Sequence, residues 1–118
     1  MRGTSPRMLK VNSTLREVIA EEVERLNDSR LEMVSITGVE TSPNLRHALV
    51  YIDVLADDAS AALTALRRAS RRLQSAIAAQ VRMKYTPTLE FAVDPGVSGG
   101  ERIEAILRSL EEKADPDA

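Results

Sequence analysis

Apolar residues along this chain switch between two periods, and the switches divide it into elements. From Met8, the positions Met8, Val11, Leu15, Val18, Ile19, Val23 and Leu26 keep helical spacing. This predicts a helix from about Met8 or Asn12 to Leu26. Asn12, Ser13 and Thr14 are candidate caps for a late start. The acids Glu17, Glu21, Glu22 and Glu24 read as its solvated face. Asn27-Asp28-Ser29 supplies turn chemistry at its end. Period two takes over in the β-branched run Val34-Ser35-Ile36-Thr37 and slips at Gly38-Val39, where a bulge is expected. Thr41-Ser42-Pro43-Asn44 reads as a turn. His47 to Leu55 alternates again. Ala48, Val50, Ile52 and Val54 face one way; His47, Leu49, Tyr51 and Asp53 face the other. The two runs read as a hairpin.

Helical spacing returns with Leu63, Leu66, Leu73, Ile77 and Val81. Asp57-Asp58-Ala59-Ser60 opens this segment with acids and a cap candidate. It is long enough to bend or split. Tyr85-Thr86-Pro87 closes it, because Pro87 disfavours helix before it. Leu89, Phe91 and Val93 then alternate as a third strand. Phe91 is expected on the sheet face that receives Leu66, Leu73 and Ile77. Asp94 to Gly100 is a loop without a phosphate-binding glycine fingerprint. Ile103, Ile106, Leu107 and Leu110 suggest a short final helix. The expected result is an α+β fold with one domain over residues 8–110. A flexible arm is expected at 1–7 and a loose acidic tail at 111–118.

Charge changes this picture in one place. Ala59 to Leu89 holds Arg67, Arg68, Arg71, Arg72, Arg82 and Lys84 and no acid, a block of +6 in a chain of net charge -2. Residues 1–16 add Arg2, Arg7, Lys10 and Arg16, again without an acid, so the rest of the chain carries -12. On a helix these arginines fall broadly opposite the apolar stripe. One face packs inward and the other is positive, which suits a polyanion. The candidate RNA-binding residues are Arg67, Arg68, Arg71, Arg72, Arg82 and Lys84, with Arg7 and Lys10. The only aromatics are Tyr51, Tyr85 and Phe91. Stacking platforms are scarce, so RNA would be held through backbone charge and shape.

Other chemistry is poorly supplied. There is no cysteine and one histidine, His47, which leaves no thiolate site, no histidine pair for a metal and no ordinary triad. No metal or cofactor is implied. Glu21–Glu22 and Asp57–Asp58 are sequence neighbours, which do not face one another on a helix, so they make poor acid–base pairs. An enzyme is not expected. His47 reads as an exposed strand histidine. No apolar run reaches the length of a membrane span, and Met1 to Arg7 lacks a signal-peptide core, so a cytoplasmic protein is expected.

Several stretches carry a family likeness. They are Val11 to Ile19 (VNSTLREVI), Asn27-Asp28-Ser29-Arg30, and Val39 to Ala48 (VETSPNLRHA). Met83 to Phe91 (MKYTPTLEF), Arg102-Ile103 and Leu107 complete the set. Their order and spacing resemble ribosome-binding factor A, a family of bacterial small-subunit assembly factors, over about residues 8–110. Val39 to Ala48 is similar to the family's V-x-x-S-x-D-L-x-x-A pattern, with Asn44 where aspartate is usual. Met83 to Phe91 resembles its R-x-x-P-x-L-x-F block, with Lys84 near an arginine position. The resemblance implies a type II KH-like domain. Ordinary KH domains bring backbone to phosphate with a GxxG loop. This chain has no glycine between Gly38 and Gly96. The family instead uses a kinked helix pair marked Ala-x-Gly, here Ala69-Ser70-Arg71, with Arg71 replacing glycine. The resemblance further implies a monomer that binds the immature 30S subunit. It would contact 16S rRNA near its maturing ends and the neck, and assist late processing without catalysis.

On the residues alone two other readings stay open. One is a KH-like RNA binder of another pathway. The other is a dimerising interaction module whose arginine face only keeps a helix soluble.

Overall fold

The computed structural model describes residues 5–55, 59–95, 107, 108, 110 and 111. Helix α1 spans Pro6–Leu26. It starts earlier than the apolar spacing suggested. The Ser5 hydroxyl accepts from the Met8 amide at 3.2 Å, and Pro6 takes the first helical position, where its missing N–H costs nothing. Residues 5–7, expected in the arm, are thus the cap and first turn. Asn12 is not a cap. Its side-chain oxygen accepts from the Thr41 amide at 3.0 Å and the Thr41 hydroxyl at 2.9 Å, tying α1 to the sheet. Asn27 closes α1 in the left-handed region at φ 54°, which asparagine tolerates better than most residues. A short 3-10 turn, Ser29–Leu31, is capped by Asp28.

Strands β1 (Val34–Thr41) and β2 (His47–Val54) form the expected antiparallel hairpin. The register slips between Ile36 and Gly38, which leaves Thr37 as the extra residue of the anticipated bulge. The helical segment after β2 is divided into α2 (Ala59–Arg68) and α3 (Ser70–Gln80). Strand β3 (Thr88–Val93) then pairs parallel to β2, giving the sheet order β1-β2-β3. A parallel return to a neighbouring strand needs a crossover, and α2 and α3 provide it.

All three helices pack on one face of this sheet. Leu15, Val18, Ile19 and Val23 of α1 meet Leu66 of α2, Leu73 and Ile77 of α3, and Val50, Ile52 and Phe91 of the strands. Phe91 is therefore buried among the residues expected to receive it. The other sheet face holds a smaller cluster in which Leu49 and Tyr51 meet Leu107.

Two expectations about exposure need correction. His47 is buried, 6% exposed, because β2 is the central strand and is covered on both faces. The Thr88 hydroxyl donates to the Arg46 carbonyl at 3.1 Å, so at 2.7 Å it accepts from His47 Nδ1–H. Its Nε2 has no hydrogen-bond partner among the described residues. Val81 keeps the apolar spacing but is extended, at φ -121° and ψ 129°, so α3 stops at Gln80, well before Tyr85-Thr86-Pro87. Asp57, Asp58, the glycines at 96–100, Ile103, Ile106 and the tail beyond Glu111 lie outside the described residues.

Candidate nucleic-acid interface

The basic run folds as an elbow. Ala69 sits between α2 and α3 at φ -89° and ψ 1°, and its amide is shared by the carbonyls of Ala65 and Leu66 at 3.1 Å each. That conformation is open to any L-residue, so the bend needs no glycine. The positive-φ residues other than glycine among the described residues are Asn27 and Leu45, so Arg71 is accommodated without left-handed backbone. Arg67 and Arg68 occupy the last turn of α2, and Arg71 and Arg72 the first turn of α3. All four are exposed. Ala69 gives α3 no side-chain cap. A helix start without a cap presents free amides and the positive end of the helix dipole. It is joined to the negative end of α2 one residue away, so the positive charge at the elbow comes chiefly from Arg67 and Arg68 at the end of α2 and Arg71 at the start of α3.

Arg72 belongs to a different structure. Its Nε donates to Glu22 Oε2 at 2.9 Å, and Arg25 Nη1 donates to Glu22 Oε1 at 3.3 Å. Glu22, expected on a solvated face, is 9% exposed and ties α1 to the first turn of α3. The Arg72 hydrogen bond holds the Glu22 carboxyl below its ordinary value of 4.5; burial opposes this, and Arg25 reinforces it. A carboxyl lowered in the folded state stabilises fully above its unfolded pKa and ceases to do so as pH falls through the folded value. Glu22→Gln should therefore lower the melting temperature near neutral pH. The gap from the parent should begin to close as pH falls below 4.5 and should go on closing through the lowered folded value. Thermal melts of both proteins across that range check this.

The remaining sequence candidates are dispersed. Arg7 and Lys10 stand on the first two turns of α1, whereas the Glu22–Arg72 tie lies at its other end. Arg82 and Lys84 lie on the extended loop after α3 rather than on its face. Two residues outside the sequence candidates join Lys84 there. The Arg46 guanidinium carbon is 4.3 Å from the Tyr85 ring centroid, and Lys84 Nζ is 5.6 Å from it. Local pattern could not reveal this, because Arg46 and Tyr85 meet only when β3 returns beside β2. Among the described residues, no group of three or more His, Asp or Glu could hold a metal ion, and no helix is long and apolar enough to cross a membrane.

The family model for ribosome-binding factor A matches residues 7–107. The chain belongs to the ribosome-binding factor A family. A curated family member from Rubrobacter xylanophilus is 42% identical over 113 residues, 94% of this chain and 90% of that one. The crystal structure of ribosome-binding factor A from Thermus thermophilus superposes with a TM-score of 0.69 at 35% identity, covering 73% of this chain and 94% of that one. A homology model of the Thermus thermophilus protein, fitted into a cryo-EM map of a 30S–RbfA complex, superposes at 0.60 with 37% identity. It covers 69% of this chain and 88% of that one. The helix, hairpin, helix pair and parallel strand are the type II KH-like arrangement of ribosome-binding factor A. The family's members are non-enzymatic ribosome assembly factors. Asn44, where ribosome-binding factor A usually carries aspartate, keeps an acceptor in place: its Oδ1 accepts from the Arg46 amide at 3.0 Å and the Ser42 hydroxyl at 2.8 Å.

Proposed function

We propose that this chain binds the immature small ribosomal subunit as a monomer in the cytoplasm. It contacts 16S rRNA and assists its late processing, without a cofactor. The observation that carries this reading is the elbow at Ala69. Arg67, Arg68 and Arg71 are exposed cations gathered within five residues of one bend, in a stretch from Ala59 to Leu89 that holds no acid. The elbow occupies the place that a glycine loop fills in ordinary KH domains, and arginine charge takes over the work of close backbone approach. Membership of the ribosome-binding factor A family and the 30S complex of the Thermus thermophilus relative support the target. Glu22 already neutralises Arg72, so Arg72 is left out of the contact set.

A salt titration of subunit binding tests the reading. Arg67, Arg68, Arg71, Arg82 and Lys84 are five exposed cations. With about 0.9 counterions released per duplex phosphate contact, the log–log slope of affinity against salt should be about -4 to -5. Co-sedimentation with small subunits at increasing salt measures it. A flat titration contradicts contact through phosphates.

A further inference from the structure

The three aromatic residues have very different surroundings. Phe91 is 4% exposed and Tyr51 9%, but Tyr85 is 43% exposed. Tyr85 is also the ring that carries two cations, Arg46 at 4.3 Å and Lys84 at 5.6 Å. A part-exposed aromatic ring beside positive charge meets both needs of a nucleotide, apolar ring surface for the base and a counter-charge for its phosphate.

The cluster is held in place by the fold. Asn44 accepts from the Arg46 amide, and the Arg46 carbonyl accepts from the Thr88 amide at 2.9 Å and from the Thr88 hydroxyl at 3.1 Å. The Gln74 side chain donates to the Pro87 carbonyl at 2.9 Å, which ties the Tyr85 loop to α3. Gln74 follows Arg71 by three positions, so the two are neighbours on the surface of α3. The Tyr85 loop is therefore anchored one helical turn from the elbow. Little ordering remains to be done when a ligand arrives.

We infer that Tyr85, flanked by Arg46 and Lys84, is a stacking platform for one unpaired RNA base next to the elbow. This rests on the RNA-binding reading and deepens it. A base inside a duplex is already stacked on its neighbours and cannot lie on the ring. The platform thus selects single-stranded or bulged RNA, while the elbow reads phosphates regardless of pairing. It also revises the expectation, drawn from the scarcity of aromatics, that binding rests on charge and shape alone.

The test uses the full chain and a short single-stranded RNA carrying 2-aminopurine, with the same label in a hairpin stem as control. The parent should quench the label in the single strand and leave the stem unchanged. Tyr85→Ala should abolish the quenching and weaken single-strand binding by about fivefold or more. Its salt slope should match the parent's, because no charge is removed. Tyr85→Phe should restore both quenching and affinity. Circular dichroism confirms that the variants fold. If Tyr85→Ala quenches and binds like the parent while Arg67→Glu weakens binding, the platform is wrong and the elbow stands. If the parent binds neither RNA even at low salt, the RNA reading of the elbow falls and the platform with it.

Discussion

Phe91→Ala should remove about 3–5 kcal/mol of stability, a large share of the 5–15 kcal/mol that holds a typical small domain. Phe91 lies on β3 opposite Val50 of β2, and its ring is buried between the sheet and the helices. Leu66 of α2 and Leu73 and Ile77 of α3 share that cluster, and each of them is 0% exposed. Truncation would therefore leave a void beneath both arms of the elbow at once. Rigid helices cannot collapse into such a space cheaply, so the cavity cost adds to the lost transfer energy. Urea unfolding followed by circular dichroism measures it. A shift in the midpoint with the slope preserved is the expected form, because the change acts on the native core. A variant that unfolds like the parent would mean that Phe91 is not where the three helices and the sheet converge.

Much of this fold was legible in the sequence because its cause is local. Apolar period gave the helices and strands, the slip at Gly38 marked the bulge at Thr37, and the length of the basic segment allowed for its division at Ala69. The misses share a different cause. Glu22 looks solvated in the sequence because its partner Arg72 is fifty residues away, and no pattern within α1 announces that pair. His47 looks exposed in the sequence because alternation assigns one polar face. Yet the nearly unbroken apolar run after it is the mark of a strand covered on both sides. Ser5-Pro6 was a usable helix-start signal, overshadowed by the apolar stripe that begins at Met8. Val81 shows that a residue can keep helical spacing and pack on the core while its backbone is extended. That single change moves Arg82 and Lys84 off the basic helix face. In the candidate site, the charges at the elbow were therefore legible, but the Arg46–Tyr85 contact was not.

We propose that Arg67, Arg68 and Arg71 at the elbow hold the small subunit through its RNA. Arg67→Glu, Arg68→Glu and Arg71→Glu combined should leave the fold intact. All three side chains are exposed, and such substitutions typically change stability by no more than about 0.5 kcal/mol each. The helix dipoles offset only in part: the two acids at the end of α2 are unfavourable, whereas the one acid in the first turn of α3 is favourable. Arg72 is kept, so its pair with Glu22 survives. Binding should respond far more strongly. Even at about 1 kcal/mol per contact, three lost contacts weigh about 3 kcal/mol, more than a hundredfold in affinity, before any repulsion is added. With two cations of the original five remaining, the salt slope should fall to about -2. The direct measurement is co-sedimentation of the parent and the triple variant with immature small subunits at matched salt, beside circular dichroism melts. The expected result is a folded variant that stays in the supernatant while the parent pellets with the subunits. A folded variant that pellets like the parent would contradict it and would make the elbow an ordinary solvated surface.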